Sequence, residues 1–164
     1  MPVIWITGLP GSGKTRLASA LAAELADTDG PCLLLDGDDL RGALAPLADG
    51  YSETARRRFA HTYSNLAALA DAQGLTCIVA TVSLFAAVHA LNRSRFGRYL
   101  EVLLVCDDAE RERRRPAARL AEGDRMGGDI APEWPRAPHL VFDTTTLPVE
   151  AIAYRVVQAW RAHG

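Results

Sequence analysis

The sequence has 164 residues, of which 49% are hydrophobic and 23% are charged, which is typical of one globular domain. Its 18 basic and 20 acidic side chains give a net charge of −2, which excludes a global basic field for nucleic acid or an anionic membrane. No apolar stretch is long enough to span a bilayer, and the N-terminal residues lack a secretory pattern. Three cysteines in apolar runs indicate buried thiols and a cytoplasmic protein.

Apolar, strand-sized runs alternate with helical patterns along the chain. Strands are predicted at 3–7, 32–36, 76–82, 99–106 and 139–143. Helices are predicted at 14–26, around 40–44, and at 52–73, 84–95, 107–115 and 148–162. Because the strands are apolar on both faces, the pattern predicts an α/β fold with a parallel sheet covered on both sides, in one domain. Ligands of such folds bind at the carboxyl ends of the strands.

A phosphate-binding loop follows the first predicted strand. Residues 8–15 read G-L-P-G-S-G-K-T and match G-x-x-x-x-G-K-[ST] in full, and a predicted helix begins there. Loop N–H groups and the helix N-terminus favour phosphate, and Lys14, the single lysine beside 17 arginines, is expected at the β- and γ-phosphates. Thr15 is expected to offer its hydroxyl to Mg²⁺. The predicted ATP-binding residues of this loop are Gly8, Gly11, Ser12, Gly13, Lys14, Thr15 and Arg16.

Three carboxylates follow the second predicted strand, in Asp36-Gly37-Asp38-Asp39. Like charges this close need a cation or a proton to share, and Mg²⁺ beside phosphates meets that need. A carboxylate here is also placed to accept the proton of an attacking hydroxyl. The alternative interpretation is a solvated turn in which an aspartate caps a helix. Arg41, two residues further on, is suited to pairing with an anionic acceptor.

These motifs together resemble the adenylylsulfate (APS) kinase family. The resemblance covers roughly residues 1–145 and rests on the phosphate loop, on D-G-D-D-L-R at 36–41, on G-Y-S at 50–52, and on segments at 74–85, 93–102 and 129–135. The family implies a P-loop NTPase fold of three α/β/α layers around five parallel strands. It also implies that ATP and Mg²⁺ serve to phosphorylate the 3′-hydroxyl of APS, a small nucleotide acceptor. A homodimer and a lid at about 108–128 are further expectations.

The resemblance also assigns roles to individual residues. Lys14, Asp36 and Asp38 are expected to be catalytic, with Thr15 and Asp36 holding the metal. Arg41 and Arg56 are expected to hold the phosphosulfate group of the acceptor, and Tyr51 to stack on its base. The predicted acceptor-binding residues are Asp38, Arg41, Tyr51, Arg56, Phe59, Ser83, Leu84 and Phe85, and the predicted lid residue at the nucleotide is Arg113. The neighbouring Arg57 and Arg58 are expected to face solvent.

The sequence departs from the family pattern at the acceptor site and the lid. Phe59 stands where the family has an asparagine, and the lid motif R-D-x-K-G-L-Y is replaced by R-R-R-P-A at 113–117. Three functions therefore stay open at this point. The first is an APS kinase, and the second is a kinase of another acceptor, such as cytidine diphosphoramidate in a related subgroup. The third is a nucleotide-binding module without catalysis.

Overall fold

The computed structural model describes residues 2–45, 50–115 and 125–163. All five predicted strands are present within one residue of their predicted bounds. The strands are β1 (Pro2–Thr7), β2 (Cys32–Asp36), β3 (Thr76–Thr81), β4 (Arg98–Val105) and β5 (Leu140–Asp143). The helices are α1 (Lys14–Ala26), α2 (Gly37–Ala43), α3 (Glu53–Ala72), α4 (Ala86–Arg95), α5 (Asp108–Arg114) and α6 (Val149–Ala162).

The five strands form one parallel sheet in the order β2-β3-β1-β4-β5. The central strand β1 is paired on both sides, with Ile4 beside Ile78 of β3 and Leu100 of β4. Its carboxyl end therefore lies in the middle of one sheet edge. That edge carries the phosphate loop, as expected for ligand binding in folds of this kind.

Two apolar clusters cover the two faces of the sheet, which confirms the predicted three layers. On one face α1 and α6 pack together, with Leu21 and Trp160 fully buried. On the other face α3 and α4 contribute residues such as Tyr63 and Val88. The leucines of α1 face the sheet because their spacing of four places them on one side of the helix. Over the described ranges, no helix has the length and apolar character needed to cross a bilayer.

The predicted burial of strand β2 is wrong at its outer positions. Leu33 is 39% exposed, because β2 lies at the edge of the sheet and only one neighbouring strand covers it. The expectation that all three cysteines are buried fails for the same kind of reason. Cys77 in the inner strand β3 is buried, whereas Cys32 in β2 and Cys106 just beyond β4 are only half-buried.

A buried carboxylate on β4 holds α4 against the sheet. Glu101 is fully buried and accepts hydrogen bonds from Nδ1 of His89 at 2.9 Å, Nη2 of Arg93 at 2.7 Å and the hydroxyl of Tyr99 at 3.1 Å. Burial alone would raise the pKa of Glu101, but these donors bring its pKa below the usual value. The carboxylate therefore stays charged inside the core.

Glu101→Ala should lower the free energy of unfolding by about 3–5 kcal/mol, because it leaves a buried polar cluster without its acceptor. Urea unfolding followed by circular dichroism measures this change. Glu24→Ala is the matched control, since Glu24 is exposed on α1 and its loss should cost no more than about 0.5 kcal/mol. Equal stabilities of the two variants would contradict this role for Glu101.

Candidate active site

The phosphate loop is held in shape by close backbone contacts on two sides. A side chain on Gly8 would collide with the carbonyl of Leu104 in β4, and a Cβ on Gly11 would lie 2.5 Å from the carbonyl oxygen of Arg111 in α5. Gly11 and Gly13 also have φ angles of +83° and +91°, which L side chains rarely adopt. The loop therefore needs glycine for both space and conformation, and its N–H groups are fixed before a ligand arrives.

Lys14 points its ammonium group into this loop. Its side chain is almost completely buried, and Nζ donates to the carbonyl oxygen of Leu9 at 2.9 Å. Burial is the main cause that lowers the pKa of Lys14 to about 8; the carboxylates of Asp38 and Asp36 oppose the change, and the guanidinium of Arg111 adds to it. A buried ammonium that has lost its hydration is suited to binding an anion, because phosphate oxygens would restore the stabilisation that water no longer provides.

Thr15 and Asp36 meet at the base of the loop. The hydroxyl of Thr15 donates to Oδ2 of Asp36 at 2.6 Å, and Oδ1 of the same carboxylate accepts from the N–H of Asp38 at 2.9 Å. Asp36 thus caps α2 and is only 6% exposed, whereas Asp38 and Asp39 are exposed, so the capping aspartate of the alternative interpretation is present but is itself buried. A hydroxyl and a carboxylate oxygen beside the phosphate loop are the ligands that Mg²⁺ takes in proteins, so the residues present fit that ion.

One cleft of about 1210 Å³ joins this loop to a second, arginine-rich half. There the guanidinium carbon of Arg41 lies 4.5 Å from the ring centre of Tyr51 and 4.2 Å from that of Phe59. Arg41 also donates to the carbonyl oxygen of Gly50 at 2.9 Å, so its guanidinium group is held between two rings and a backbone oxygen. Arg56 donates to the carbonyl oxygen of Tyr51 at 3.0 Å and lies over the same ring.

The sequence pattern of the adenylylsulphate kinase family matches residues 1–132. The chain belongs to the adenylylsulphate kinase family. Its relatives include an adenylyl-sulfate kinase of Pseudomonas aeruginosa, which is 34% identical over 94% of this chain and 83% of its own length. A cytidine diphosphoramidate kinase of Campylobacter jejuni is 36% identical over 64% of this chain and 61% of its own length.

A solved structure agrees with this assignment. The APS kinase of Mycobacterium tuberculosis, in complex with AMPPNP and APS, superposes with a TM-score of 0.85 at 26% identity and covers 96% of this chain and 95% of its own. The P-loop kinase fold expected from the sequence is therefore confirmed. The chain itself is therefore an ATP-dependent phosphotransferase whose acceptor is a hydroxyl group.

Most of the residues predicted for the site line the cleft of this kinase. They are Gly11, Gly13, Lys14, Thr15, Arg16, Asp36, Asp38, Arg41, Tyr51, Arg56, Phe59, Ser83, Phe85 and Arg113. Three do not. Gly8 and Ser12 belong to the loop but lie away from the cleft wall, and Leu84 is fully buried in the core between the sheet and α3.

The lid expected at about 108–128 is described only in part, since residues 116–124 lie outside the described ranges. Arg113 reaches the cleft wall while paired with Glu110 at 2.7 Å, and Arg115 is paired with Glu112 at 2.9 Å. Both pairs are local, because their partners are three residues apart in sequence. Arg111 differs, because it is buried against the phosphate loop and donates to the carbonyl oxygen of Pro10 at 3.3 Å.

Several residues of the site were not predicted from the sequence. The hydroxyl of Tyr63 donates to the carbonyl oxygen of Gly37 at 3.1 Å, which supports the turn that carries Asp38. The hydroxyl of Thr144 donates to the carbonyl oxygen of Ser12 at 3.0 Å and so ties the loop to the end of β5. Thr144 could have been found by its position at a carboxyl strand end, whereas no local pattern marks Tyr63.

ATP affinity should fall at alkaline pH, because the free protein loses the Lys14 proton near pH 8 while bound phosphates hold it. Between pH 7.5 and 9 the Kd should rise about eight-fold, if Lys14 must be charged in the complex. Isothermal titration calorimetry at these two pH values measures the change. Lys14→Arg keeps its charge at both pH values, so any binding it retains should not depend on pH in this way. An unchanged Kd in the wild type would contradict the role given to the ammonium.

Proposed function

We propose that this kinase transfers the γ-phosphoryl group of ATP to the 3′-hydroxyl of APS. The observation that carries the proposal is that one cleft is lined by the phosphate loop, by Asp38 and by the group formed by Arg41, Arg56 and Tyr51. Relatives at 34% and 35% identity bear the name adenylyl-sulfate kinase, and the APS kinase solved with AMPPNP and APS supports the same acceptor.

The nucleotide half would bind ATP through backbone and charge. The N–H groups of the loop and the helix N-terminus of α1 would surround the β-phosphate, and Lys14 would bridge to the γ-phosphate. Thr15 and Asp36 would hold Mg²⁺, which when bound neutralises phosphate charge and aligns the phosphates for transfer. Arg111 adds a second fixed positive charge beside the loop.

Asp38 is the residue we assign to the proton of the acceptor hydroxyl. It lines the cleft between the two halves, and its backbone N–H is held by Asp36 at 2.9 Å. Tyr63 fixes the preceding carbonyl, so the turn that carries this carboxylate is held at two points. Phosphoryl transfer depends mainly on such positioning, since the protein has little covalent chemistry to perform.

The acceptor half has the charges that a phosphosulfate group needs. Arg41 and Arg56 would pair with the anion, and Tyr51 offers an aromatic ring to the base. Phe59 stands where a polar contact was expected, and its ring supports Arg41 instead of offering a hydrogen bond. We assign Phe59 a supporting role on this ground.

We propose that residues 1–164 form one kinase domain with its lid near 108–128, that the protein works in the cytoplasm where ATP is supplied, and that it forms a homodimer. A small nucleotide acceptor is then its natural partner. The free thiols of the three cysteines are consistent with a reducing compartment.

APS should stimulate ADP release from ATP·Mg²⁺, and Asp38→Asn should lower kcat at least about 100-fold because it removes the base. Lys14→Ala should abolish turnover. A coupled optical assay of ADP measures both. Asp39→Asn is the matched control, because Asp39 is exposed and lies away from the cleft wall.

Cytidine diphosphoramidate is tested in the same assay. Stimulation by that nucleotide and not by APS would contradict the proposed acceptor and favour the subgroup represented by the Campylobacter jejuni relative. Near-normal kcat in Asp38→Asn would remove the base role while leaving the acceptor assignment intact.

A further inference from the structure

We infer that Glu133 is a positioning residue for the acceptor, which acts through Arg57 and the start of α4. Glu133 belongs to residues 132–138, a segment with three prolines that we call the proline-rich segment. Glu133 itself does not line the cleft. The inference rests on the proposed function, because it concerns the half of the cleft assigned to the acceptor. The sequence assigned a role at the site to neither residue, and Arg57 was expected to face solvent.

Glu133 connects three parts of the chain that are distant in sequence. Its backbone N–H donates to the carbonyl oxygen of Leu84 at 2.9 Å, and Oε2 accepts from the N–H of Ala86 at 2.8 Å. Oε1 accepts from Nη2 of Arg57 at 2.5 Å. One carboxylate thus joins the proline-rich segment, the β3–α4 junction and α3.

The contact with Ala86 supplies a cap that α4 otherwise lacks. The N-cap residue of this helix is Phe85, whose side chain makes no capping hydrogen bond. A carboxylate at a helix N-terminus satisfies a free N–H and is favoured by the helix dipole. The pKa of Glu133 is held below its usual value, mainly by the side-chain hydrogen bond from Arg57 and then by the backbone hydrogen bond from Ala86. The capping carboxylate therefore stays charged near neutral pH.

The contact with Arg57 reaches the cleft wall through an aromatic ring. The guanidinium carbon of Arg57 lies 4.4 Å from the ring centre of Phe85, and Phe85 lines the acceptor half. Ser83, two residues earlier, also lines it. The ring is therefore held between the core and a guanidinium group that Glu133 fixes in place.

The result is a fixed spacing between two walls of the acceptor half. One wall is the first part of α3, which carries Arg56 and Phe59, and the other is the β3–α4 junction with Ser83 and Phe85. Arg57 belongs to the first wall and Glu133 binds the second. Because both side chains are about 40% exposed, the pair contributes little to overall stability, and its effect should appear in acceptor binding.

Glu133→Ala should raise KM for APS about ten-fold and leave KM for ATP within about two-fold, because only the acceptor walls lose their spacing. Glu133→Gln should restore part of the loss, since its amide oxygen can still accept from Ala86. Arg57→Ala should match Glu133→Ala, and the double variant should be no worse than either single one, because both break the same connection. Steady-state kinetics with each substrate varied gives the two KM values.

Glu53→Gln is the matched control, because Glu53 also pairs with Arg57, at 2.7 Å, but this pair lies within α3 and does not join α3 to another element. It should leave both KM values unchanged. The inference would be overturned if the rises in KM for APS of the two single variants multiplied in the double variant. It would also be overturned if KM rose equally for ATP and APS. Wild-type protein that APS does not stimulate would instead overturn the proposed function, and the inference with it. Unfolding curves of all variants exclude loss of fold as the cause.

Discussion

The buried ammonium of Lys14 is the interaction on which the rest of the site depends. Lys14 follows the central strand β1 and so lies at the middle of the sheet edge. The backbone around the phosphate loop leaves no room for side chains at Gly8 and Gly11. Burial lowers its pKa to about 8, so the free protein holds a costly charge that phosphate would stabilise. Arg111 and Thr144 fix the loop from two other elements, and the nucleotide half is rigid as a consequence.

The acceptor half is built differently, from side chains that hold one another. Arg41 lies between two aromatic rings. Arg57 covers the ring of Phe85, and Glu133, 76 residues further along the chain, binds Arg57. Such contacts are partly exposed and individually weak. Changes here can therefore alter which acceptor binds while the core and the phosphate loop stay intact. This division agrees with a chain that keeps the nucleotide motif in full and departs from the family at Phe59 and in the lid.

The sequence predicts the strands and the phosphate loop well because both depend on local pattern. Continuous apolar runs mark the strands, and the loop needs glycine at fixed positions whatever surrounds it. Exposure of Leu33 was missed because the strand order that makes β2 an edge strand is not a local property. Arg57 was missed since its orientation depends on Glu133, 76 residues away. Leu84 resembles a site residue in the motif, but packing turns its side chain into the core.

The position of the transferred phosphate tests the central claim most directly. The purified protein would be incubated with Mg²⁺, APS and ATP labelled in its γ-phosphate, and the nucleotide product separated by chromatography. The label should appear in a product derived from APS, and a nucleotidase specific for 3′-phosphates should release it. Label that stays in ATP and inorganic phosphate would contradict APS as the acceptor, and label in the APS product that resists the nucleotidase would contradict transfer to the 3′-hydroxyl.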